Sequence, residues 1–332
     1  MNTRERERES NNGAKRNLAK SLFFVFASLA IITISLVIGM RSALKQDTLL
    51  QLIRSAKHLV IKPQSTQQVI KPQSTQQNEG NEAVQFNEFG QLTKYPNKEE
   101  RSKPEISDKT IVAFVFGQSN AANHAGEKFV STTPNIYNYW NEHYYKAKDP
   151  LLGATGSAGS VWTLTANKLV KEQIADQVIL IPAAVGGTSV AEWRIGGRLN
   201  EMLVKRLSEA KENNLSVTHF FWHQGESDNP VGGYGGIGLA DYEAGMKEII
   251  SLTKKYFPKS KFYVALVSRC DYSRPPSAAL QDVQKRLTSM SGVYFGPNTD
   301  DISLEDRYDD CHFSGRGLEK HSDGWIKAIK SN

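Results

Sequence analysis

Four short runs of continuous apolar residues place the tightest limit on what this 332-residue chain can fold into: "TIVAFVF" (110 to 116), "VILIP" (178 to 182), "VTHFFW" (217 to 222) and "KFYVALV" (261 to 267). A strand with one wet face alternates apolar and polar side chains, so runs this short and uninterrupted fit strands covered on both faces. Between and after them, helical patterns cover 161 to 175, 198 to 213, 239 to 256 and 276 to 290, with Pro and Gly clusters at their boundaries and a closing helix at 317 to 330. Strands alternating with helices of this length predict an α/β fold with a parallel, doubly wound sheet. With 39% apolar residues the chain can bury such a core. Ligands of such sheets bind at the carboxyl ends of the strands, which is where functional residues are sought.

A different pattern precedes position 109. Residues 21 to 40, "SLFFVFASLAIITISLVIGM", carry no charge and are long enough to cross a bilayer core as a single transmembrane helix. Arg4, Arg6, Arg8, Lys15, Arg16 and Lys20 lie before it, and Arg41 and Lys45 after it. The positive-inside bias makes residues 1 to 20 a basic cytoplasmic tail and 21 to 40 a membrane signal anchor, with the bulk of the chain on the exported side: periplasmic, lumenal or extracellular. A cleaved signal peptide is the competing reading, disfavoured by the length of the apolar run and by the lack of a small-x-small site. Residues 41 to 108 read as a flexible stalk carrying a tandem repeat, "VIKPQSTQQ" at 60 to 68 and again at 69 to 77. The folded domain is expected over 109 to 332. Of the formal net charge of +6, the first 45 residues supply +5, eight Lys or Arg against three Glu, which leaves no basic face for a nucleic acid. The cysteines, Cys270 and Cys311, are permitted to pair in an oxidising compartment and are equally compatible with two free thiols. Asn214-Leu215-Ser216 is a glycosylation acceptor in a host that glycosylates exported proteins.

Each predicted strand or its neighbourhood ends in a polar cluster. After 110 to 116 comes "GQSNAAN", where Gly117 permits a sharp turn and Ser119 is either a helix cap or a nucleophile. It is not a Gly-x-Ser-x-Gly elbow, since Gln118 and Asn120 flank the serine. After 178 to 182 comes "AAVGGTSVAEW", in which Gly186 and Gly187 allow backbone amides to approach a ligand, as an oxyanion hole requires; an ordinary loop capped by Thr188 or Ser189 is the alternative. After 217 to 222 comes "HQGESDNP". Gln224 has an amide to offer an oxyanion, Glu226 and Asp228 can orient neighbours, and His223 is either a base or a packed side chain. The fourth cluster, "DDCHFSGRG" (309 to 317), sets Asp309 three residues before His312, a spacing that lets the carboxylate hold the imidazole as a base for a serine. The histidines are scattered and no spacing matches a structural zinc site, so neither metal nor cofactor is expected.

The order GQSN, AVGGTSVAEW, WHQGESD and D-x-x-H-F-S resembles the SGNH hydrolases, specifically their sialate O-acetylesterase and acetylxylan esterase branch, similar to carbohydrate esterase family 6. The resemblance covers about 109 to 330. It implies a flavodoxin-like three-layer α/β/α sandwich. It also implies Ser119 as nucleophile, His312 as base and Asp309 as acid, with oxyanion donors from the Ser119 amide, a glycine amide at 186 or 187, and the Gln224 side chain. Gln118, Asn120, Glu226 and Asp228 are implied as supporting residues, and an O-acetylated carbohydrate as substrate. The chain departs from the pattern at "AANHAG", where many relatives have Met and a nearby Gly, which alters the first helical turn and the acyl pocket. Within this resemblance a Cys270–Cys311 bond would tie the catalytic loop to the end of the 261 to 267 strand. The Gly-rich segment 230 to 239 is either a substrate-facing loop or a surface insertion, and Trp193, Trp222 and Tyr234 are either sugar-stacking residues or core. An acyltransferase using the same acyl-serine and an inert glycan-binding domain are the competing functions; a lipase lacks a long apolar lid here.

Overall fold

The computed structural model describes residues 83–231, 237–271 and 275–332. The expected cytoplasmic tail, the apolar segment 21 to 40, the tandem repeat and Tyr234 lie outside the described residues. Among the described residues no helix is long and apolar enough to cross a membrane.

In chain order the strands are β1 (Gln85–Phe86), β2 (Leu92–Lys94), β3 (Glu100–Arg101), β4 (Thr110–Gly117), β5 (Ile136–Trp140), β6 (His143–Lys146), β7 (Gln177–Pro182), β8 (His219–His223), β9 (Lys261–Leu266) and β10 (Val293–Asn298). The helices are α1 (Val161–Lys171), α2 (Val190–Trp193), α3 (Asn200–Glu212), α4 (Leu239–Tyr256), α5 (Ala278–Leu287) and α6 (Gly315–Lys330). The main sheet has the order β10-β9-β8-β4-β7-β5-β6-β3. Strands β10 through β5 are parallel and the β5-β6-β3 edge is antiparallel. Within it, β7-β4-β8-β9-β10 repeats the 2-1-3-4-5 order of flavodoxin-like sheets, whose switch point lies beside the first strand, here β4.

Every residue of β4 is buried, and its alternation explains the uninterrupted apolar run. Val112, Phe114 and Phe116 enter one core with α2, α3, α4 and α5; Ile111, Ala113 and Val115 enter the other with α1 and α6. The first core is aromatic: the Phe116 ring lies 4.8 Å from Trp222, 5.9 Å from Trp193 and 5.9 Å from Phe262. Truncating such a ring costs about 3–5 kcal/mol. Serine side chains cap the helix starts: Ser160 accepts from Trp162 N, Ser277 from Leu280 N and Ser314 from Gly317 N. Helix α1 stops at Lys171, short of the expected 175, because Gln173 takes a positive φ of 57°.

Residues 83–108, expected to belong to the stalk, are part of the fold. β1 and β2 form an antiparallel hairpin and β3 pairs with β6 at the sheet edge. Leu92 packs with Trp140 and Leu152, and the buried Gln91 donates to Ala183 O (2.9 Å). Only Gln91 and Leu92 of this hairpin are buried, too few to leave a periodic signal.

Candidate active site

At the end of β4 the chain passes so close to β8 that a Cβ on Gly117 would lie 2.2 Å from His223 O, and Gly117 has a φ of +123°. Only glycine meets both conditions. Gln118 N donates to His223 O (3.0 Å), and the backbone then enters one 3-10 turn, Ser119–Ala121, closed by Ala122 N donating to Ser119 O (2.9 Å). The first amides of such a turn lack an acceptor within it, which leaves them for a ligand. Ser119 is 7% exposed. Its neighbours anchor the turn: Gln118 Oε1 accepts from Ser227 N (3.2 Å), and Asn120 Nδ2 donates to Glu226 Oε1 (2.9 Å) while reaching Cys311 O at 3.5 Å.

The loop after β7 passes over this turn. A Cβ on Gly186 would lie 3.5 Å from Ser119 Cβ and 3.1 Å from His124 Nε2, so the absence of a side chain is what leaves room beside the serine. Gly186 N donates to Thr155 Oγ1 (2.8 Å), and Gly187 is exposed. Asp228 holds the far end of the loop, Oδ2 accepting from Val190 N (2.8 Å) and from Gln224 Nε2 (2.6 Å). Burial raises the Asp228 carboxyl, against these hydrogen bonds. Gln224 also donates to Thr188 O (3.0 Å). Both its amide hydrogens are therefore used, and in this arrangement Gln224 braces the glycine loop rather than offering an oxyanion donor.

Asp309 organises the fourth cluster. Oδ1 accepts from Cys311 N (3.2 Å) and His312 N (2.7 Å), and Oδ2 lies 2.6 Å from His312 Nδ1. One carboxylate thus sets both the backbone turn and the ring. Burial pushes the Asp309 carboxyl up, but the hydrogen bonds and charge of His312 outweigh it and hold it below its ordinary value. With Nδ1 committed, His312 Nε2 is buried without a hydrogen-bond partner. Cys270 and Cys311 form a disulfide that joins this loop to the segment after β9. The buried Arg307 donates to Cys311 O and to Thr299 O (2.8 Å), and its guanidinium lies over the Phe313 ring at 4.4 Å.

Three residues that the sequence did not single out complete the site. The His124 ring stacks on His312 (5.4 Å between centroids, 22° between planes), and its Nε2 lies 3.1 Å from Thr155 Oγ1. Burial, and then the neighbouring His312, lower its pKa to about 4, so a proton taken up by His312 meets a neutral neighbour at neutral pH. Tyr308 lies on the solvent side of the loop and stacks on His312 as well (6.2 Å, 29°). His124 stands inside "AANHAG", the flagged departure; Thr155 and Tyr308 left no signal in the sequence. His223, one candidate base, is wholly buried, with Nε2 3.1 Å from Thr299 Oγ1; burial, and then Arg307, lower its pKa to about 3. It packs beneath the site and does not face it. Trp193 and Trp222 are likewise core, with Trp193 Nε1 donating to Thr188 Oγ1 (2.9 Å). Among the described residues, no group of three or more His, Cys, Asp or Glu side chains is placed to hold a metal ion.

A family profile described as "Carbohydrate esterase, sialic acid-specific acetylesterase" matches residues 109–325. A probable carbohydrate esterase from Arabidopsis thaliana is 43% identical over 49 residues, a match spanning 15% of this chain and 19% of that relative. The X-ray structure of that Arabidopsis protein aligns over 68% of this chain and 98% of its own at a TM-score of 0.54 and 20% identity, which establishes a shared fold. The crystal structure of NanS aligns over 68% of this chain and 97% of its own, with 15% identity and a TM-score of 0.48.

Proposed function

The chain belongs to the carbohydrate esterase family of sialic acid-specific acetylesterases, and from that premise we propose that it is a serine esterase removing O-acetyl groups from a carbohydrate. The observation that carries the reading is the Asp309–His312 pair, held with Nε2 free on a loop that Asn120 links to the Ser119 turn. Substrate closes the remaining gap, as hydrogen bonds of this kind often tighten only in the complex.

In the proposed reaction Ser119 Oγ attacks the acetyl carbonyl carbon while His312 Nε2 takes its proton. The carbonyl oxygen becomes an oxyanion, facing the Ser119 amide and the Gly187 amide, since Gly186 N is held by Thr155 Oγ1. Collapse breaks the ester bond, and the sugar oxygen leaves with the proton from His312. Water then attacks acetyl-Ser119, losing a proton to His312, and the second collapse releases acetic acid, which gives up its proton to solvent as acetate, and returns the His312 proton to Ser119 Oγ. Asp309 keeps the imidazole in its working tautomer and stabilises its cation throughout.

The test is acetate release from p-nitrophenyl acetate and from O-acetylated glycans by the full-length protein beside Ser119→Ala. The variant is expected to lose activity by on the order of 10⁴-fold or more. Equal rates in the two proteins would sink the serine mechanism.

A further inference from the structure

Asp309 fixes where His312 Nδ1 points, but not the plane of the ring. A single hydrogen bond leaves the imidazole able to rock about that contact, since the terminal torsion of histidine is broad, and rocking moves Nε2. A face-on neighbour removes that freedom. The His124 ring supplies one, 5.4 Å from His312 between centroids and 22° from parallel.

His124 is itself held from two sides. Its Nε2 lies 3.1 Å from Thr155 Oγ1, and its carbonyl accepts from the Tyr308 hydroxyl (2.8 Å). Glycine at 156 makes room for the ring, because a Cβ there would lie 2.9 Å from His124 Nε2.

Thr155 joins this ring to the glycine loop. Its N–H donates to Ala184 O (3.1 Å), its hydroxyl oxygen accepts from Gly186 N (2.8 Å), and its carbonyl accepts from Asn123 N (2.9 Å), next to His124. A hydroxyl that accepts from one side still has its own hydrogen to give, and neutral His124 can take it at Nε2. One threonine thus ties the stretch carrying His124 to the loop carrying the Gly187 amide. The parts converge beside the serine: a Cβ on Gly186 would lie 3.1 Å from His124 Nε2, 3.3 Å from Thr155 Oγ1 and 3.5 Å from Ser119 Cβ.

We propose that His124 and Thr155 are positioning residues, which set the plane of the His312 imidazole and hold it in register with the glycine loop that receives the oxyanion. The assignment rests on the esterase reading above. Neither residue exchanges a proton with substrate; both act through His312 and the loop, so their loss is read in kcat and leaves KM nearly unchanged.

The test measures kcat and KM for p-nitrophenyl acetate, with melting temperatures, on the full-length protein. Thr155→Val keeps the shape and removes the hydroxyl, and it should lower kcat about tenfold with KM nearly kept. Thr155→Ser returns the hydroxyl and should return kcat to near the wild-type value. His124→Ala loses the stack and the bond together and should lower kcat on the order of 100-fold, with His124→Phe, which keeps a ring against His312, in between. Combining His124→Phe with Thr155→Val should cost no more than the larger single loss, because both remove the same bond. Wild-type kcat in a folded Thr155→Val, a loss that Thr155→Ser does not restore, or a loss that falls in KM overturns the proposal. If Thr155→Val does not fold, the half-buried His124 answers instead: a His124→Ala variant with a lowered melting temperature and wild-type kcat means a structural role alone and overturns it too. Dependence of the wild-type rate on Ser119 separates the two readings: if it holds while the variants match wild type, the bridge alone is wrong, and if it fails both are.

Discussion

The Ser119 turn and the Asp309–His312 loop form two halves of one site, and they are held by different means. The serine turn is an extension of the sheet: β4 delivers it between β7 and β8, and backbone hydrogen bonds from Gln118 and Ala122 define its path. The histidine loop has some backbone bonds, such as Tyr308 N to His312 O (3.0 Å) and Gly126 N to Phe313 O (2.9 Å), and adds side chains and a covalent link: Asp309 beneath the ring, Arg307 on Cys311 O, and the Cys270–Cys311 bond. A backbone ladder distributes the work over many groups, so side-chain substitutions in the Ser119 turn disturb its path little, Gly117 excepted, where no Cβ fits. The His312 ring depends on a few contacts, each of which can be removed.

The largest break in this comparison comes from replacing both cysteines with serine. The bond closes a separation of 41 residues, and a chain-entropy argument gives about 4 kcal/mol of stabilisation for a loop of that size. Thermal unfolding should shift down accordingly, and kcat should fall about tenfold as His312 loses its fixed position. If the midpoint drops while kcat is kept, Arg307 and Asp309 alone are enough to hold the base.

Asn120→Ala acts at the contact between the halves. It leaves the buried Glu226 Oε1 without its donor and removes the reach to Cys311 O, a cost of about 1–3 kcal/mol. Because the turn keeps its backbone bonds, phosphonylation of Ser119 by a fluorophosphonate, with loss of fluoride, should still occur, more slowly. Loss of labelling in a folded variant would show that the backbone ladder does not suffice.

The last break, Glu226→Gln, is read as a pH-dependent difference rather than a single loss. Burial raises the Glu226 carboxyl from an ordinary value of 4.5 to about 7, against the hydrogen bond from Asn120. A carboxyl raised on folding favours the native state fully below about 4.5 and loses that contribution as pH rises through about 7. The glutamine variant escapes that loss, so its melting temperature relative to wild type should rise between pH 4.5 and 7. A pH-independent difference would mean that Glu226 stays ionised, paired with the nearby Arg307.

The strands were legible because each is buried on both faces; the β4 run matches the expected 110 to 116 apart from Gly117. Strands β5 and β6 escaped notice, since Asn138 and His143 break the apolar pattern near a sheet edge. At the candidate site, the Asp309–His312 contact was legible because it depends on residue type and local spacing, and Ser119 is proposed on the same ground. The part Gln224 plays is not legible for the opposite reason: what an amide can donate depends on which acceptors already hold it, here Thr188 O and Asp228.

The sequence by itself determined the α/β alternation, the placing of polar clusters at strand ends and the Asp309–His312 spacing, because these follow from periodicity and from neighbours along the chain. Only the tertiary structure decided that Cys270 meets Cys311, that His124 lies against His312, that residues 83–108 belong to the domain, and that Tyr308 rather than Trp193 or Trp222 faces solvent beside His312. Each of those is a contact between segments far apart in the chain, or an exposure set by what covers a residue. Packing of the whole sheet and its helices fixes such relations, and no short stretch of sequence contains them.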